Sequence, residues 1–156
     1  MKAKSGFTLV EILIVVVILG ILAAIVIPQF SEASTDAKES RLLSDLQSMR
    51  SQIELYKIQH NDQMPGAGTA SFTDALTGYT DVAGALVAVQ APSANVYGPY
   101  LQQIPKNPWN NSIVVTSGAA DPGVAGDDGW FFNTTTGHFR ADDTLSTDEG
   151  IAHIDL

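Results

Sequence analysis

The chain has 156 residues, enough for one small domain with an anchor. It contains no cysteine, which excludes a disulfide framework and thiol chemistry. Its net charge of −9 is unevenly spread, with Lys2 and Lys4 near the start and Asp and Glu crowding the second half. That balance argues against nucleic-acid binding through a general basic field and reads as solubility of an exposed domain.

In chain order, the first element is an apolar segment. From Ile12 to Ser31 there is no charged side chain, and nearly every residue up to Ile27 is apolar. At 1.5 Å per residue a helix of about 20 residues covers roughly 30 Å, the hydrocarbon thickness of a bilayer. Lys2 and Lys4 precede the segment, and no Lys or Arg follows until Lys38. The positive-inside rule then predicts a cytoplasmic N-terminus and an acidic body outside. An ordinary cleaved secretory signal is disfavoured by the length of the stretch, by Glu11 at its start and by the lack of a persuasive A-x-A site. A plain one-pass anchor explains the apolar run but neither Gly6-Phe7 nor Glu11.

The run Lys4-Ser5-Gly6 followed by Phe7-Thr8-Leu9-Val10-Glu11 resembles the processing site of type IV pilins and the related pseudopilins of type II secretion. The resemblance implies that a prepilin peptidase cuts between Gly6 and Phe7 and methylates the new Phe7 amine. It also implies that Glu11 neutralises the Phe7 amine of the adjacent subunit during assembly. Elementary electrostatics agrees, since a lone carboxylate in lipid must find a cation, lose its charge or stay near the interface. The plainer alternative is a carboxylate resting in the headgroup region without a role.

Pro28 lies inside the helical pattern, so a kink or local melting is expected between Gly20 and Pro28. In the resembling family this stretch loosens when subunits pack, which adds Pro28 to the assembly residues. The sequence remains helix-forming through Gln59. Leu42, Leu46, Met49, Ile53 and Tyr56 recur at steps of four and three, and Leu43 and Leu55 are expected to widen that stripe. His60 is placed at the helix end, where a cation is favourable. Asn61 to Gly68 carries stop and turn signals.

In the second half, Phe72, Leu76 and Tyr79 suit a short helix capped by Thr69 or Ser71, and residues 83–95 suit a loop. Gly98-Pro99-Tyr100-Leu101 and Pro105-Lys106-Asn107-Pro108-Trp109 resemble the segment of major pseudopilins that leads into the first strand. The chain departs from that pattern at Asn111-Ser112, where a Gly-Asn-Pro type turn is expected. Ile113 to Thr116 reads as a strand. Gly129 to Asn133 and Gly137 to Ala141 read as two more, joined by Thr134-Thr135-Thr136. Trp130, Phe132 and Phe139 suit one buried face of a small antiparallel sheet.

Acids cluster at Asp121, Asp127 and Asp128, and again at Asp142 and Asp143. Major pseudopilins commonly bind one calcium in a C-terminal loop, and calcium takes six to eight oxygen ligands. These five acids are the candidate set, although their spacing matches neither the family's loop residue by residue nor an EF-hand. Solvated turn acids are the alternative. No catalytic constellation is present, and His60, His138 and His153 lack zinc spacing. Asn110-Asn111-Ser112 and Asn133-Thr134-Thr135 match the glycan sequon, a weak motif.

The expected fold is α+β, a long N-terminal helix packed on a small C-terminal antiparallel sheet, as in pilins. The expected organisation is a cleaved leader at 1–6, a transmembrane and assembly helix at 7–31, its amphipathic continuation at 32–60, and a periplasmic loop and sheet domain at 61–156. The resemblance implies a structural subunit and no enzyme: a major pseudopilin of the bacterial inner membrane that polymerises into a periplasmic filament. Its implied partners are copies of itself, minor pseudopilins, the prepilin peptidase and the inner-membrane assembly platform. The absence of cysteine favours this over a type IV pilin of a surface fibre for adhesion, motility or DNA uptake, since many of those close a C-terminal loop with a disulfide. A membrane-tethered binding or enzymatic domain would need a deep pocket with converging polar side chains, and the sequence shows none.

Overall fold

The computed structural model describes residues 7–88, 95–120, 126, 128–147 and 149–156. The chain divides into two compact units, Met1–Ala37 and Lys38–Leu156. Helix α1 (Leu9–Gln59) passes through Pro28 without interruption. The local melting expected there is absent from the single chain. Proline removes one bond to the Ala24 carbonyl, and the remaining residues of the stretch keep helical geometry.

In the second unit α1 buries Leu42, Leu46, Met49, Ile53 and Tyr56. Leu43 and Leu55 do not widen that stripe, being 51% and 41% exposed. At 3.6 residues per turn they sit roughly 100° or more round the helix from its centre, beyond the reach of the core. Arg50 donates from Nε and Nη2 to the Phe139 carbonyl at 3.1 and 2.9 Å, and from Nη2 to the Leu156 oxygen at 2.8 Å. It thereby ties this part of α1 to the far end of the sequence. Burial, and then the neighbouring Arg140 charge, draw its guanidinium below the usual arginine range.

Helix α2 (Phe72–Thr77) forms as expected, with Ser71 as its cap. The Ser71 hydroxyl accepts from the Asp74 amide at 3.1 Å and donates to the Asp74 carboxylate at 2.7 Å. Phe72, Ala75 and Leu76 are buried, whereas Tyr79 falls outside the helix and is half-exposed. Two short strands not anticipated from the sequence, β1 (Thr80–Asp81) and β2 (Val96–Tyr97), pair antiparallel. They bracket the region read as loop, of which residues 89–94 lie outside the described residues.

The main sheet has the order β3 (Val115–Gly118), β4 (Trp130–Asn133), β5 (Phe139–Ala141). The β4–β5 hairpin matches expectation. Its turn is held by Asn133 Oδ1, which accepts from the Thr135 and Thr136 amides at 2.8 Å each. β3 differs in two ways. It begins two residues later than expected, leaving Ile113 and Val114 half-exposed, and it runs parallel to β4 with Val115 opposite Trp130. The sheet is therefore mixed, because the long connection after Gly118 returns the chain to the same end before β4 starts. Trp130, Phe132 and Phe139 are fully buried as expected. Phe72 lies 4.5 Å from the Phe132 ring, and Trp130 lies 5.3 Å from Phe139.

Candidate assembly site and the C-terminal acids

Every residue from Phe7 to Ser34 is exposed in the single chain, including the whole apolar run. The helix carrying it is long and apolar enough to cross a membrane. A helix this hydrophobic all round is covered by lipid or by other helices. At its head, Phe7 and Thr8 precede the first turn and Glu11 lies within it. The Thr8 amide and the Thr8 hydroxyl both donate to Glu11 Oε2 at 2.7 Å, and the Glu11 amide donates to the Thr8 hydroxyl at 3.3 Å. This is a capping box, in which each residue satisfies an amide that the helix leaves orphaned.

Thr8 was not singled out from the sequence as a site residue. Its signal was available in Thr8-Leu9-Val10-Glu11, the S/T-x-x-E pattern placed directly before an apolar run. Phe7 is 86% exposed beside an apolar hollow shared with Leu9, Ile12, Leu13 and Val16. Gly6, Lys2 and Lys4 lie outside the described residues.

The C-terminal acids behave differently. Asp143 is buried, and its carboxylate accepts from Asn107 Nδ2 at 2.7 Å, from the Leu145 amide at 3.1 Å and from His153 Nδ1 at 2.6 Å. Asn107 is itself fully buried. It also donates to the Gly129 carbonyl at 3.0 Å and accepts from the Trp109 amide at 2.9 Å. Asp143 thus takes part in an internal network of three hydrogen bonds. Asp142 accepts from the Gly126 amide, and Asp128 accepts from the Thr116 hydroxyl. Asp121 and Asp127 lie outside the described residues. Among the described residues no three His, Cys, Asp or Glu side chains converge as a metal group.

Histidines take structural places. His60 does sit just past the end of α1, but it is buried, contacting the Tyr56 carbonyl and the Thr80 hydroxyl at 2.9 Å each and stacking on Tyr56. His153 is fully buried against Asp143 and Trp109. Asn107 and His153 were missed as partners of Asp143, since the three are distant in sequence and no local spacing links them.

Residues 1–27 match the prokaryotic N-terminal methylation motif. The type II secretion system core protein G of Escherichia coli (strain K12) is 31% identical over 131 residues, covering 81% of this chain and 83% of that protein. The chain belongs to the core protein G family, the major pseudopilins. The same relationship holds to core protein G of Aeromonas hydrophila, at 31% identity over 74% of this chain and 75% of that protein. The Pseudomonas aeruginosa protein is 34% identical over 70% and 71%. No solved structure matches the chain. Family membership gives the capping box its context: the match to the methylation motif spans Gly6, Phe7, Thr8 and Glu11, so the one acid of the pseudopilin's apolar segment lies inside the motif.

Proposed function

We propose that this chain is the major subunit of the pseudopilus of a type II protein secretion system. The observation that carries the reading is the family relationship over four-fifths of the chain, joined to an apolar segment of α1 left wholly exposed in one copy. In this reading a prepilin peptidase cuts after Gly6 and methylates Phe7. The subunit waits in the bacterial inner membrane with its N-terminus cytoplasmic and its body periplasmic. It then joins a periplasmic filament in which Glu11 accepts the Phe7 amine of a neighbour and the stretch around Pro28 loosens. Minor pseudopilins and the inner-membrane assembly platform are its further partners. Asp121, Asp127, Asp128, Asp142 and Asp143 are the residues that would supply ligands to a calcium ion, which would staple a domain without disulfides.

The test is export of a folded periplasmic enzyme from a strain deleted for this chain, with filaments located by microscopy in the complemented strain. Lost export, restored by the chain without long surface fibres, is the expected result. Intact export together with long surface fibres would overturn the reading.

A further inference from the structure

The capping box at the head of α1 divides the Glu11 carboxylate in two. Oε2 receives both Thr8 donors, while Oε1 has no hydrogen-bond partner among the described residues. We infer that Thr8 is a positioning residue for assembly, holding Glu11 Oε2 within the chain so that Oε1 is left oriented for the amine of a second copy. This rests on the reading of Glu11 as the acceptor of a neighbour's Phe7 amine.

Two physical effects favour it. A carboxylate at the mouth of an apolar segment is costly when bare, and each donor supplied within the chain lowers that cost while the subunit waits alone. A free glutamate side chain also explores many rotamers, and ordering it before the encounter removes that entropy loss from the assembly step. The bond from the Thr8 amide is backbone chemistry and survives most substitutions. The hydroxyl is specific to this residue type, and it makes two of the three bonds. Valine has nearly the same shape and no hydroxyl, so Thr8→Val isolates the effect, while Thr8→Ser keeps the capping oxygen.

The experiment expresses Thr8→Val, Thr8→Ser and Glu11→Val chains at native level and scores trimming, membrane insertion and filament yield. All three should be trimmed and inserted. Thr8→Val should give roughly tenfold fewer filaments, the factor that corresponds to about 1.4 kcal/mol. Thr8→Ser should stay within about twofold of the parent. Normal filaments from Thr8→Val would overturn the role of Thr8 and leave that of Glu11 intact. An equal loss in Thr8→Ser would show that the hydroxyl is not what matters. Untrimmed Thr8→Val would move the residue from assembly to processing. Normal filaments from Glu11→Val would bring down the underlying reading and Thr8 with it.

Discussion

Two carboxylates in this chain, Glu11 beside an apolar segment and Asp143 buried inside a folded unit, are treated in opposite ways. Asp143 is surrounded within its own unit by three N–H donors from Asn107, Leu145 and His153. Glu11 has the two Thr8 donors on one oxygen, in a unit whose apolar residues from Phe7 onward are all exposed. A buried acid whose oxygens are satisfied internally organises a fold. Glu11 has an oxygen without a partner among the described residues, on an apolar segment that its own chain leaves exposed, and in the proposed reading that oxygen serves a second copy. The difference separates a unit that buries its own core from one whose apolar segment its own chain leaves exposed.

The comparison breaks most sharply at Glu11. Glu11→Val should leave trimming and insertion unchanged and abolish polymerisation, and ordinary filaments in a sheared-cell fraction would remove Glu11 from the mechanism. The second effect is a loss of stability with assembly chemistry untouched. Asp143→Ala strands the buried Asn107 and His153 donors and should lower unfolding free energy by about 3 kcal/mol, measured by denaturant titration of the full chain in detergent micelles. A change below about 0.5 kcal/mol would show that the network is not structural. The smallest effect concerns calcium. At a hundred times its dissociation constant the ion should stabilise the chain by about 2.7 kcal/mol, and Asp142→Asn should reduce that gain. Identical melting with calcium and with chelator would remove the ion from the account.

Much of the fold was legible because its signals are local. The stripe Leu42, Leu46, Met49, Ile53 and Tyr56 is buried as its spacing implied, and the Ser71 cap and the Thr134 to Thr136 turn lie where short-range chemistry put them. Leu43 and Leu55 were misjudged because a hydrophobic residue beside a stripe carries no information on how wide the opposing surface is. Of the proposed assembly site, Phe7 and Glu11 stand out in the sequence by their order in the motif. The Thr8–Glu11 capping box is equally visible there from the spacing of the two residues.

By itself the sequence determined a membrane-length apolar helix, its lone acid, its amphipathic continuation and an aromatic hairpin, since each depends on residues within a few turns of one another. Only the tertiary structure decided that β3 pairs parallel to β4, that β1 meets β2, and that Asp143 is joined to Asn107 and His153. Those outcomes join residues 10 to 36 positions apart. They are set by which surfaces meet once the chain has folded, a quantity that no local period encodes.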